Sequence, residues 1–343
     1  MDEFQAKAKE GSSIWRAIKD LVYSCNYKLY HKVFKKIFTG PVTPKRRRRN
    51  EIIFIIGMLI IPVLHFLVFW LYVNIDSILI AFQGVEIRTG RIYYTIENFE
   101  HVFQLLQTSD SQLWQAITNT LITWSFTTLF MFPLSIFWAY FIYKRIILGN
   151  FFRVMFYIPS IINAVALAAI YHYLLASGGP VGLLYQALYP NEYVPAFFIE
   201  VEYAMKVILL YVFWTGFGGN LILLNGAMGR ISKEMVESAM IDGIGMWREL
   251  YNFILPLSWP TLSTLIIFSF TGLFTSSGPV LLLTKGQGKT YTLSYWIYEI
   301  VYGQKSGLPN IAAAMGLFFT AIGLPIVLIA RHFINKVYED VEF

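Results

Sequence analysis

The stretch ISKEMVESAMIDGIGMWRELYNFILPLSWP, residues 231–260, decides how the rest of the chain is read. It is the longest amphipathic segment in an apolar second half. On either side lies a hydrophobic stretch long enough to cross a bilayer. Apolar Met235, Ala239, Ile241, Ile244, Met246 and Leu250 alternate with Lys233, Glu234, Glu237, Asp242, Arg248 and Glu249. Ser232 suits a helix N-cap, and Glu234 and Glu237 follow in the first turns, where carboxylates complement the helix dipole. Asp242-Gly243 then ends that helix, because both residues tolerate turn geometry. A second short helix is expected to reach Leu255-Pro256. Helix, turn and helix between two membrane spans suggest a rigid knob for a partner. A helix lying on the bilayer surface has the same pattern, and the pattern alone leaves both open.

Composition sets the class. Of 343 residues, 56% are hydrophobic, 17% aromatic and 14% charged, where a soluble domain carries about 25% charged residues. An all-α integral membrane protein is expected. The net charge of +6 is concentrated near the N-terminus, which fits a lipid-facing tail rather than nucleic-acid binding. The single cysteine, Cys25, excludes an intrachain disulfide and a cysteine-built metal cluster. The five histidines show no ligand spacing, so no metal site is expected. No GxxxxGK[ST] phosphate loop is present, so no ATP site is expected in this chain.

Hydropathy places six spans near 52–74, 115–141, 152–176, 204–226, 262–284 and 311–333. Residues 1–50 read as a basic amphipathic helical extension. Apolar Ile14, Trp15, Ile18, Leu21, Val22, Leu29, Val33 and Phe34 recur at helical spacing among lysines, and Arg46 to Arg49 precede the first span. The expected organisation continues with the first span and an outer loop over 51–113, a core over 114–335 and a short tail over 336–343. In the first outer loop, strand-prone residues around Arg91–Thr95 suggest a hairpin, and Glu97 to Leu106 a short helix. Twenty-one of the 27 Lys and Arg fall on the N-terminal side of the membrane under this topology. The positive-inside rule therefore puts both termini, and the 231–260 loop, in the cytoplasm.

Polar groups inside hydrocarbon must find partners or face a cavity. Three clusters stand out: Ser160 and Asn163 after Pro159; Trp214, Thr215, Gly216 and Asn220; and Thr275, Ser276 and Ser277. With Tyr211 and Phe217 they are candidates to line a neutral pathway with aromatic walls, a surface that suits sugar hydroxyls and C–H faces. Close helix packing is the plainer explanation for any single Gly or Ser among them. No carboxylate or arginine falls near the middle of a span, which argues against an ion site.

Glu237-Ser238-Ala239, Asp242-Gly243 and Ile254-Leu255-Pro256 together resemble the "EAA" loop of ABC importer permeases. That pattern is Glu-Ala-Ala, three residues, Gly, about nine residues, then apolar-x-Leu-Pro. Ser238 replaces the second position, and Ile244 stands where Ala is usual. Ile231-Ser232-Lys233-Glu234 is similar to the carbohydrate branch, the maltose-type, binding-protein-dependent permeases. Further likenesses are Asn98-Phe99, Asn119-Thr120, Phe151-Phe152-Arg153 with Ile158-Pro159, Trp214-Thr215-Gly216, Leu283-Thr284-Lys285-Gly286 and Asn310-Ile311-Ala312. The resemblance covers residues 95–335.

It implies a type I ABC importer permease fold with six transmembrane helices in a bacterial inner or plasma membrane. The implied partners are a second homologous permease, two ATPase subunits that hold ATP and Mg, and an extracellular or periplasmic solute-binding protein. The implied function is ATP-driven translocation of a carbohydrate, in particular an oligosaccharide, by alternating access, without catalysis in this chain. In that scheme Glu237 orients the knob in an ATPase groove, Gly243 makes its turn and Pro256 ends it; Ser238, Ala239, Asp242 and Leu255 complete the coupling set. The rivals are a secondary transporter of a neutral polar solute, which would need intramembrane ionisable groups, and an ABC permease for a solute other than a sugar.

Overall fold

The computed structural model describes residues 44–86, 89–108, 112–241, 243–276, 278–303 and 308–337, without the side chains of Arg46, Lys233, Ala239 and Met240. The amphipathic helices expected over 14–38, together with Asp242, Ser277 and most of the C-terminal tail, lie outside the described residues. The chain divides into two compact units, Met1–Ile75 and Asp76–Phe343.

In the first unit, α1 (Pro44–His65) begins upstream of the apolar run and takes in the arginines, with Arg47 paired to Glu51 at 3.0 Å. It passes into a π-helical stretch over Phe66–Tyr72. After α2 (Val73–Ala81) comes the expected hairpin, β1 (Gln83–Val85) antiparallel to β2 (Ile92–Tyr94), with Gly84 opposite Tyr93. A Cβ at Gly84 would fall 2.5 Å from the Tyr93 ring, so only glycine fits beneath it. The expected short helix is α3 (Glu97–Gln107).

The bundle then runs through α4 (Gln112–Ser125), a π-helical stretch over Phe126–Met131, and α5 (Phe132–Tyr143). Next come α6 (Gly149–Ile161), α7 (Ala164–Leu175) and α8 (Pro180–Leu188). They are followed by α9 (Val201–Thr215), α10 (Phe217–Met228), α11 (Lys233–Ile241) and α12 (Met246–Glu249). A third π-helical stretch, Leu250–Ile254, leads into α13 (Leu255–Leu257) and α14 (Trp259–Thr271). The chain closes with α15 (Val280–Leu283), α16 (Leu293–Tyr302) and α17 (Pro309–Ile334). Prolines open α8 and α17, where the missing N–H costs no helical bond.

Among the described residues, five helices are long and apolar enough to span a membrane: Arg47–Ala81, Gln112–Tyr143, Ala164–Leu188, Val201–Met228 and Pro309–Ile334. There are six if Met246–Leu257 and Trp259–Thr271, bent by 77°, count as one. Two expected spans therefore need correction. The 152–176 segment is two helices separated at Ile162-Asn163. Pro159 offers no N–H to the helix, and the Asn163 Oδ1 accepts the Val165 N–H at 2.8 Å, starting a new helix. The 262–284 segment is not one continuous helix: it leaves the helix after Thr271, residues 272–276, 278 and 279 are not helical, and Gly278 is in the left-handed region at φ 56°.

Three buried clusters hold the second unit. One joins α5, α10 and the Leu250–Ile254 stretch through Tyr140, Phe217, Leu224 and Ile254. Another joins α7, α9 and α15 through Leu167, Tyr171, Ile208 and Val280. The last joins α3, α4, α16 and α17 through Val102, Ala116, Trp296 and Met315.

Candidate functional site

The 231–260 segment folds as helix, turn and helix. The first arm, α11, starts directly after Ser232, and the turn passes through Gly243 at φ 71°, a conformation that L side chains rarely adopt. Among the described residues beyond its chain neighbours, no atom lies within 4 Å of where a Cβ at Gly243 would be, so the constraint there is conformational rather than steric. On the first arm Glu234, Glu237 and Ser238 are exposed. So are Met235 and, at 86%, Ile241. Val236 packs inward against the core, and Ile231 at the arm's base is buried.

The second arm, α12 with the π-helical stretch and α13, is held differently. Leu250 and Ile254 are buried, Leu255 and Pro256 half-buried, and Trp247 meets the Phe137 ring edge-on at 5.7 Å. Glu249, counted with the polar side of the amphipathic pattern, is 4% exposed. This corrects the sequence reading. Its carboxylate accepts two hydrogen bonds from the Lys144 ammonium at the end of α5, at 2.9 and 3.0 Å, and one from the Tyr140 hydroxyl at 3.2 Å. The Tyr140 hydroxyl also lies 3.3 Å from the Met246 carbonyl oxygen. A carboxylate buried this deeply is tolerated because it is paired and hydrogen-bonded; removing one partner of such a pair typically costs about 3–5 kcal/mol. Beside it, a cavity of about 580 Å³ is lined by Lys144, Arg145, Arg153, Asn225 and Glu237.

The predicted polar clusters coincide with breaks in helices rather than with one continuous wall. Ser160 and Asn163 stand at the break after α6, and Thr215 and Gly216 at the junction of α9 and α10. Thr275, Ser276 and Gly278 fall in the non-helical stretch after α14. Three of these hydroxyls serve their own backbone. Ser160 donates to the Tyr157 carbonyl at 2.8 Å, Thr215 to Tyr211 at 3.0 Å and Thr275 to Thr271 at 3.2 Å. The first two clusters meet directly: a Cβ on Gly218 would fall 2.3 Å from the Ser160 Oγ, so α6 and α10 cross where one residue has no side chain.

Ser160, Asn163, Thr275 and Ser276 are exposed, and Trp214 and Asn220 half-buried. Tyr211 and Phe217 are core residues, at 6% and 2% exposure. The Trp214 ring stacks on Tyr171 at 6.1 Å and meets Tyr211 edge-on at 6.2 Å. A separate cavity of about 420 Å³ lies between α14, α16 and α17. Of the predicted pathway residues it takes in Thr275, and it adds Ser294 and Thr320, which the sequence reading missed: Thr320 is a lone hydroxyl in an apolar run, and Ser294 falls outside the predicted spans.

The asparagines noted in sequence act as staples. The Asn119 amide donates to the carbonyls of Lys289 and Tyr291 at 2.8 and 2.9 Å, and Thr120 Oγ1 accepts the Leu293 N–H at 2.8 Å. Asn98 donates to the carbonyls of Ala81 and Gln83, both at 2.9 Å, and Asn310 to Gln83 at 2.6 Å. Near the first staple, burial and a hydrogen bond to Glu299 push the Tyr291 hydroxyl up to about 12. Among the described residues no group of three or more His, Cys, Asp or Glu is placed to hold a metal ion.

Residues 131–338 match the family described as "Binding-protein-dependent transport system inner membrane component". The chain belongs to this family. It is therefore a multi-pass membrane permease subunit of an ABC importer whose ATPase is a separate chain, which sets the secondary-transporter reading aside. Among curated relatives, the polygalacturonan/rhamnogalacturonan transport system permease protein YteP of Bacillus subtilis is 24% identical over 288 residues, 82% of this chain and 88% of that one. The lactose transport system permease protein LacF of Rhizobium radiobacter is 24% identical over 199 residues, 57% of this chain and 67% of that one. The fold is that of a bacterial ABC transporter involved in import of the acidic polysaccharide alginate, with TM-score 0.71 and 24% identity over 85% of this chain and 98% of that one. A second structure of an alginate ABC transporter, in complex with a pentasaccharide-bound periplasmic protein, aligns with TM-score 0.70 and 24% identity over 87% of this chain and 99% of that one.

Proposed function

We propose that the chain is one of two homologous membrane halves of an ATP-driven importer for an oligosaccharide, with the helix–turn–helix at 231–260 as the contact to an ATPase subunit. The observation that carries the coupling role is the first arm. It is a short helix that leaves Glu237 exposed with Ile241 four residues on along the same face, and Met235 exposed elsewhere on the helix, so its outer side is open to a partner. The substrate class is supported by two relatives whose names specify a pectic polysaccharide and lactose, and by exposed neutral hydroxyls and amides at the helix breaks. In this reading both termini and the loop are cytoplasmic, as the distribution of Lys and Arg favours. A loaded binding protein docks on the opposite face, ATP closes the paired ATPases, and the loop carries that closure into the bundle.

The test is purification of the chain with its bound subunits from native membranes, reconstitution into liposomes, and assay with a pooled panel of pectin-, alginate- and starch-derived oligosaccharides plus the cognate binding protein. A second permease and an ATPase in the complex, with hydrolysis and uptake raised by the panel, are the expected result. A complex that hydrolyses ATP but responds only to amino acids or phosphate esters would overturn the carbohydrate assignment. A chain that purifies with no ATPase would overturn the coupling role of the loop.

A further inference from the structure

The long helical span Gln112–Tyr143 is fastened at both ends to segments far away in sequence. At one end Lys144 and Tyr140 grip Glu249 of the second arm. At the other, Asn119 and Thr120 grip the turn that runs from Lys289 to Leu293. Asn119 and Lys144 are 25 positions apart on one helical span, at most roughly 37 Å at the α-helical rise, enough to cross the hydrocarbon core of a bilayer, about 30 Å thick.

Each fastening is directional. The apolar contacts of Leu250 and Ile254 resist separation but tolerate sliding, since burial is non-directional. The Lys144–Glu249 pair does not tolerate it. Both carboxylate oxygens are engaged by one ammonium, and Tyr140 bonds to the carboxylate while lying within reach of the Met246 carbonyl, so a slip of one helix past the other would leave a buried charge unpaired. The amide of Asn119 fixes the opposite end in the same way, by holding two backbone carbonyls at once.

We propose that Glu249, Lys144 and Tyr140 form a clamp that makes the second arm and this span move as one body. The span is then a strut between the loop and the 289–293 turn on the other face of the membrane. Force received by the first arm reaches the bundle through the clamp rather than being absorbed by flexing of the loop. The three are positioning residues, and the assignment rests on the reading that the loop receives force from an ATPase.

The test uses the complete reconstituted complex and the same oligosaccharide panel, with uptake and ATP hydrolysis both measured per assembled complex. Lys144→Met and Glu249→Gln are expected to lower uptake per ATP hydrolysed by roughly tenfold, within the range usual for coupling between two sites, while hydrolysis continues. Lys144→Arg, which keeps a cation able to grip both oxygens, is expected to retain the wild-type ratio. A purely structural role would instead lower uptake and hydrolysis in proportion. Unchanged ratios in Lys144→Met and Glu249→Gln overturn the clamp. If Glu249→Gln fails to assemble, Tyr140→Phe removes one donor without disturbing packing, and an unchanged ratio there overturns the clamp equally. A wild-type complex without ATP-driven uptake overturns the importer reading itself, a result distinct from a working wild type with indifferent variants.

Discussion

The two arms of the 231–260 loop have similar sequence patterns and opposite physical situations. The first arm exposes Met235 and Ile241 and packs Val236 against the core. The second buries Leu250 and Ile254, props Trp247 against Phe137 and holds Glu249 under Lys144 and Tyr140. Both arms leave large apolar side chains exposed, Met235 and Ile241 on the first and Trp247 and Tyr251 on the second, but the second is also fixed by a buried ion pair. The first arm, less firmly held, is the one proposed to meet an ATPase. An arm whose charged residue is buried is doing its work within the chain.

The largest effect is expected where that difference is greatest. Glu249→Ala removes the buried carboxylate that Lys144 and Tyr140 hold; because Lys144 keeps 23% of its side chain exposed and can be hydrated, the expected cost is about 1.5–3 kcal/mol. A drop of several degrees in the thermal unfolding midpoint of the detergent-solubilised complex would register it. Glu237→Ala on the first arm, exposed and without a comparable partner network among the described residues, is expected to leave the midpoint unchanged. Equal shifts for the two glutamates would erase the contrast between the arms.

Next comes the crossing of α6 and α10. Gly218→Ala places a methyl group within 2.3 Å of the Ser160 Oγ, and overpacking of this kind costs about 1–3 kcal/mol. Because the two nearest atoms belong to Ser160, Ser160→Gly in the same chain is expected to recover part of the loss, with the Phe156 carbonyl oxygen at 3.0 Å still close. Without that recovery, the close approach at Ser160 would not be the cause. Gly243→Ala should cost somewhat less, about 1–2 kcal/mol, since a Cβ in the left-handed region is penalised although no described residue beyond its chain neighbours crowds it. Gly243→Asn, which tolerates that conformation, should cost less still by the same melting measurement.

What was legible in the sequence follows the range of the interaction. The hairpin, the helix after it, the turn at Gly243 and the apolar spans are written in neighbouring residues. The breaks were not. A hydropathy window averages across Ile162-Asn163, and the cap that restarts the helix is one side-chain oxygen meeting an N–H two residues on. The polar clusters were visible as composition, but their placement at breaks depended on where backbone groups needed partners. Tyr211 and Phe217 are close in sequence to those polar residues, yet they lie in buried clusters. Glu249 was the most hidden. Its partner stands 105 positions away, and the local pattern assigned it to the solvent side.

The smallest stability effect belongs to Ile241, and it sharpens the comparison most. At 86% exposure it contributes little to the fold of this chain, so Ile241→Ser is expected to change the melting midpoint of the chain by less than about 0.5 kcal/mol equivalent. If the first arm is the surface offered to an ATPase, the same substitution removes apolar area from that contact, worth about 2 kcal/mol when such a side chain becomes fully buried. That corresponds to roughly thirtyfold weaker association. Sedimentation or native mass spectrometry of the purified complex would read this as loss of the ATPase from an otherwise intact permease. Ile254→Ser on the second arm, buried at 0% exposure, should do the reverse and weaken the permease before it weakens the contact. A complex that holds its ATPase equally well with Ser at 241 would mean that the exposed arm is not what the partner grips.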